Sequence, residues 1–154
     1  MEILIRQGKQ SDSYEIWQLM RELAIFEHYI DSFAITPAIV AEKGYQKNPP
    51  DFYCLVAEDR ISKTIVGIAV YYFHPFTALN KPALYMKELY VREEYRKAGV
   101  GKSLMEAVIE EATRNQCCSI KWMVAPWNAK GIRFYERLGA KENKEWLQYE
   151  IVVS

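Results

Sequence analysis

Several things are scarce in this chain, and each scarcity narrows what it can be. Cysteine occurs three times, as Cys54, Cys117 and Cys118. An odd count with two thiols adjacent offers no disulfide framework and no zinc-ligand spacing, so no metal and a reducing, cytoplasmic setting are expected. Histidine occurs twice, His28 and His74, each isolated, which leaves no His-paired nucleophile. Charge of either sign is not in surplus: Lys plus Arg and Asp plus Glu both number 20. Without a basic stripe or a nucleic-acid motif, no nucleic-acid partner is expected. No apolar run approaches the roughly 20 residues of a membrane span. The first residues form no charged-then-apolar leader, so no membrane partner is expected either. Repeats, low-complexity tracts and linkers are lacking, and one domain over residues 1–154 is expected.

What is present is the ordinary make-up of a globular protein, 50% hydrophobic and 26% charged. Residues 3–6 read as a strand. Asp12 with Glu15 has capping-box spacing and opens a helix whose apolar stripe is Ile16, Leu19, Met20 and Leu23. Thr36-Pro37 marks a second helix start, and Asn48-Pro49-Pro50-Asp51 is a loop. Residues 52–58 and 64–73 read as an antiparallel hairpin, and a loop over 74–82 leads to a further strand ending at Val91. A helix separates that strand from one at 119–124, so those two are expected to run parallel. A short helix over 129–138 stops at Gly139, and residues 146–153 alternate as a final strand.

The stretch Arg96-Lys97-Ala98-Gly99-Val100-Gly101 lies between a strand and an amphipathic helix striped by Val100, Leu104 and Val108. First-turn amides of such a helix have no intrahelical partner, and glycine lets backbone approach an anion closely. Arg96, Lys97 and Lys102 add positive charge, so the segment reads as a pyrophosphate cradle. A triphosphate-binding loop is disfavoured, because Arg96 stands where its first glycine belongs.

Arg-x-x-Gly-x-Gly after a strand resembles the acetyl-CoA motif of the GCN5-related N-acetyltransferases. Pro126-Trp127-Asn128 and the run from Phe134 to Ala140 resemble the last block of that superfamily. Glu22-Leu23-Ala24, Phe26-Glu27 and the run from Val66 to Phe73 resemble its spermidine/spermine and thialysine branch. The resemblance implies an α/β fold with a mixed, mostly antiparallel sheet flanked by helices and a splayed parallel strand pair at the coenzyme site. It implies acetyl-CoA as co-substrate, held by Leu89, Tyr90, Val91, the cradle from Arg96 through Ala98 to Lys102, Asn128, Gly131 and Tyr135. It also implies transfer to a primary amine of a small molecule, polyamine-like or lysine-like, within a ternary complex and a homodimer.

Tyr135 matches the family's thiolate-protonating tyrosine, and a reference pKa of about 10 suits a donor. The branch carries a Glu–Asp pair before the phosphate turn; here the pair is Lys87-Glu88. Glu88 is then the acid expected to take the amine proton. Glu27 matches an acidic position of the branch's substrate pocket. Lys87 would repel a polycation and attract a carboxylate. Strict strand alternation puts Lys87 and Glu88 on opposite faces unless a bulge intervenes. Acetylation of a protein or peptide, and a non-catalytic acyl-CoA sensor, are the alternatives.

Overall fold

The computed structural model describes residues 1–154, which form two compact units, Met1–Trp122 and Met123–Ser154. In the first unit, β1 (Ile3–Gln7), β2 (Tyr53–Asp59), β3 (Thr64–Phe76), β4 (Lys81–Val91) and β5 (Ile120–Lys121) make one sheet in that spatial order. The first three pairings are antiparallel and β4–β5 is parallel, as the helix between those strands requires. Three helices accompany the sheet: α1 (Ser13–Phe26), α2 (Pro37–Ala41) and α3 (Val100–Arg114).

The apolar stripes decide which helix covers which face. Ile16, Leu19 and Met20 of α1 join Val40 of α2 and Val56, Ile68 and Val70 of the strands in one buried cluster. Tyr90 of β4 packs against the same cluster. Its neighbour Val91 points the other way, toward Gly67 and Leu104 of α3, as successive strand residues must. The sheet is thus sandwiched between α1 and α3. Ile16, Leu19, Leu104 and Val108 are completely buried, each contributing about 1.5–3 kcal/mol of transfer free energy.

Thr36 caps α2 by accepting from the Ile39 amide at 3.2 Å, with Pro37 at the first helical position. The start of α1 differs from expectation. Asp12 makes no cap to α1; it is drawn into a bidentate pair with Arg6 (2.8 and 3.1 Å) and accepts from the Lys9 amide at 2.7 Å. Glu15 reaches across to accept from the Ile65 amide at 3.0 Å instead of closing a capping box. The Arg6 guanidinium and the Lys9 amide between them occupy both oxygens of the Asp12 carboxylate, in place of an α1 amide.

The β3–β4 hairpin is longer than residues 64–73 and 84–91, because His74, Pro75 and Phe76 pair with Ala83, Pro82 and Lys81. The strand expected over 119–124 shrinks to Ile120 and Lys121, the two residues that find partners on β4. In the second unit, α4 (Ala129–Arg137) is the one regular element, followed by Gly139 at φ 89°. The final strand expected over 146–153 does not form: these residues have no ladder partner. Their apolar side chains, from Trp146 to Val153, are between 81% and 89% exposed. Alternation specifies a face, but a strand exists only through its neighbour.

Candidate active site

Register is the starting point, because β4 carries most of the site. Val70 faces Glu88 across the ladder whereas Tyr71 faces Met86, so Lys87 is an extra residue in β4. This bulge removes the opposite-face placement that alternation alone demands. Lys87 and Glu88 both border one cavity of about 210 Å³. Met20, Ile35, Phe52, Val70 and Tyr72 form its largely apolar wall, and Asp51 joins the two β4 side chains as its polar part.

Glu88 is the unusual group in it. Its Oε2 is buried and has no hydrogen-bond partner. Burial is the main cause that pushes its pKa up to about 7, with neighbouring Glu27 adding and Lys87 opposing. Glu27, at the end of α1, is also raised by burial and pulled down by Lys87. Burial raises the Tyr29 phenol, and the nearby Glu88 and Glu27 carboxylates add to it. Glu27, Lys87 and Glu88, singled out from sequence, therefore form one electrostatic cluster. Of the walls, Tyr72 belongs to an aromatic group expected from the sequence to supply core and pocket wall, whereas Tyr29, Asp51, Ile35 and Phe52 were not singled out as site residues. Tyr29 stands two residues beyond Glu27 and could have been found by proximity; the walls depend on long-range pairing.

Further along, β4 loses its second neighbour. β5 pairs with Leu84 and Tyr85 and ends at Lys121, while β4 continues to Val91 with β3 alone. The Arg92 amide donates to Val66 of β3 at 2.9 Å. Backbone groups alternate between edges, so Tyr90 also faces β3. The amides of Leu89 and Val91 therefore face the open edge. The Val91 carbonyl lies on that same edge and accepts from Arg96 Nε at 2.8 Å. Arg96 also lies 5.5 Å from the Tyr90 ring centroid and 5.7 Å from that of Phe26. Its guanidinium thus serves β4 as well as belonging to the cradle sequence.

The cradle itself has two left-handed residues, Lys97 at φ 69° and Gly99 at φ 79°. A Cβ at residue 99 would meet nothing within 4 Å, so conformation and not crowding calls for glycine there. The first intrahelical bond of α3 runs from the Ser103 amide to the Gly99 carbonyl at 3.0 Å. The amides of Val100, Gly101 and Lys102 precede it, no side chain caps them, and Lys97, Ala98 and Lys102 are exposed beside them. This arrangement can hold an anion.

In the second unit Asn128 caps α4, its Oδ1 accepting from the Gly131 amide at 3.0 Å. A Cβ on Gly131 would come within 2.5 Å of the Asn128 carboxamide, so glycine there preserves the cap. Tyr135 is half-buried on α4, its ring 5.3 Å from that of Phe134.

A β4 end paired on one side, an uncapped helix start and a buried carboxylate oxygen are thus present in the same unit, and comparison with known proteins shows the family that carries them. Residues 14–140 match the model of the acetyltransferase (GNAT) family. A thialysine N-ε-acetyltransferase of Sus scrofa is 33% identical over 149 residues, 93% of this chain and 86% of that protein. A spermidine/spermine N(1)-acetyltransferase-like protein 1 of Homo sapiens is 33% identical over 141 residues, 88% of this chain and 20% of that protein. Among solved structures, AAC(6')-Iy in complex with the bisubstrate analog CoA-S-monomethyl-acetylneamine superposes with a TM-score of 0.79 at 18% identity, covering 99% of this chain and all 100% of that one. The chain belongs to the GNAT family. It is an acetyltransferase of a family that uses acetyl-CoA, with thialysine and polyamine acetyltransferases among its relatives.

Proposed function

We propose that this acetyltransferase moves the acetyl group of acetyl-CoA directly onto the primary amine of a small molecule, lysine-like or thialysine-like in preference to a polyamine. The observation that carries the proposal is Glu88: a buried carboxyl, its Oε2 without a partner, in a cavity, with a pKa of about 7. A protonated amine has no lone pair, and a carboxylate tuned near neutrality is suited to remove that proton. The freed nitrogen attacks the acetyl carbon. A backbone amide at the open edge of β4, from Leu89 or Val91, then stabilises the developing oxyanion, a contribution of a few kcal/mol. Tyr135, by its match to the family motif, protonates the departing thiolate. Asn128 and Gly131 stand with it in the coenzyme-binding set, and the cradle from Arg96 to Lys102 takes the pyrophosphate.

Direct transfer is supported by Cys54, whose thiol is buried and held protonated by that burial. A lysine-like acceptor is supported by the bulge, which leaves Lys87 bordering the cavity where the branch has an acid. Glu27 adds an acidic neighbour for an amine. A homodimer belongs to the same reading: the apolar side chains over 146–153 are exposed as an isolated chain would not favour. Three unpaired thiols suit a reducing, cytoplasmic setting.

The test is release of free thiol from acetyl-CoA over a panel of lysine, thialysine-like amines, spermidine, diamines and a lysine peptide, each against a no-amine control. Strong turnover with a carboxylate-bearing amine is expected. Turnover with the peptide alone, or coenzyme binding without turnover on any amine, would contradict the proposal.

A further inference from the structure

A second side-chain cluster on the same face of β4 joins α1 to the cradle residue Arg96, and its carboxylate, Glu22, has no part in the proton transfer proposed above. Glu22 and Phe26 stand four residues apart on α1 and so share a face. The Glu22 carboxylate accepts from Tyr90 Oη at 3.1 Å through one oxygen and from Arg92 Nε at 3.2 Å through the other. Arg92 Nη2 approaches the second oxygen at 3.2 Å. The Tyr90 ring and Phe26 together flank the guanidinium of Arg96, which in turn donates to the Val91 carbonyl. These contacts converge on Tyr90, Val91 and Arg92, where β4, past its pairing with β5 at Leu84 and Tyr85, has a partner strand on one side only and then ends.

We propose that Glu22 is a positioning residue for the coenzyme: by fixing Tyr90 and Arg92 it holds the open-edge amides of Leu89 and Val91, and the Arg96 stack beside them, in place. The inference rests on the reading that acetyl-CoA lies along that edge. A strand end paired on one side needs another tether to keep its backbone donors aimed, and α1 supplies it through side chains. The ion pair is partly open to solvent, with side-chain exposures of 24% for Arg92 and 36% for Glu22. Such a pair adds little to global stability, so its loss is felt as misplacement of the strand end.

The experiment is steady-state kinetics of the full chain with Glu22→Ala and with Tyr90→Phe, varying acetyl-CoA and amine separately. Glu22→Ala is expected to raise the KM for acetyl-CoA about tenfold, leaving kcat and the amine KM within about twofold. Tyr90→Phe, which removes one hydroxyl, moves the same constant in the same direction by less. Coenzyme-induced thermal stabilisation falls in parallel. Unmoved acetyl-CoA KM in both variants overturns the inference, as does a joint fall of kcat and both affinities, the mark of a merely structural role. Should Glu22→Ala not fold, Tyr90→Phe decides the matter. A parent protein that fails to bind acetyl-CoA overturns the coenzyme reading itself, and this inference with it. Normal parental binding with unmoved variants overturns the role of Glu22 alone.

Discussion

Two carboxylates lie on the same side of the sheet, Glu22 on α1 and Glu88 on β4 itself, and the protein treats them in opposite ways. Glu22 has a donor on each oxygen, Tyr90 on one and Arg92 on the other. Glu88, two residues from Tyr90 along the strand, has a buried oxygen with no partner and a pKa of about 7. Donors stabilise the charged form of a carboxyl, and their absence in a dry place destabilises it. Partners supplied in full make a fixed strut, whereas partners withheld make a group ready to accept a proton. The proposed roles, positioning for Glu22 and proton transfer for Glu88, rest on that contrast.

The change that breaks the contrast most is Glu88→Gln, which keeps shape and removes basicity. It is expected to lower kcat by about 10²–10⁴ in thiol-release assays, with the KM for acetyl-CoA nearly unchanged. A loss of that size exceeds the expected effect at Glu22, and equal effects would erase the distinction. Next in size, Lys87→Glu should move the spermidine-to-lysine ratio of kcat/KM about tenfold toward spermidine, measured by competition. Gly99→Val tests the cradle at a distance from both carboxylates. A β-branched residue is strained at φ 79°, so the KM for acetyl-CoA should rise roughly five- to tenfold with little change in the amine KM.

The smallest expected effect is on stability. The folded pKa of Glu88 lies above its unfolded value of 4.5, so the native state binds the extra proton between those limits. Its contribution is therefore most favourable below about pH 4.5, declines as pH rises toward about 7, and stays unfavourable above that. Glu88→Gln should then melt above the parent at pH 8, with the difference shrinking as pH falls toward 4.5 in matched thermal scans. A variant less stable than the parent at pH 8 would contradict the buried, partnerless placement of Glu88.

Local signals made much of the fold legible in the sequence. The stripe Val100, Leu104, Val108 and Ala112 is buried as its period demands, and Thr36-Pro37 opens α2 through a cap that involves no distant residue. The glycine turn into α3 was legible for the same reason, since a helix start and its glycine are neighbours in the chain. Where partners come from afar, legibility ended. Glu15 looked like half of a capping box but accepts from the Ile65 amide of β3. Residues 146–153 carried a strand's alternation without a strand to pair with. The Lys87 bulge, which brings both β4 side chains to the cavity, is a property of the pairing with β3 and leaves no mark in the β4 sequence. Glu88 was nameable as an acid beside the phosphate turn. Its burial and its missing partner, which suit it to the proposed role of base, were not.

The pH dependence of kcat/KM for acetyl transfer to a lysine-like amine, in the parent and in Glu88→Gln, tests the central claim most directly. Free thiol released from saturating acetyl-CoA is the readout. The account predicts a rising limb in the parent with an apparent pKa of about 7, and its disappearance in the variant. A limb of the same position in both proteins would show that another group takes the proton, and that Glu88 is not the base.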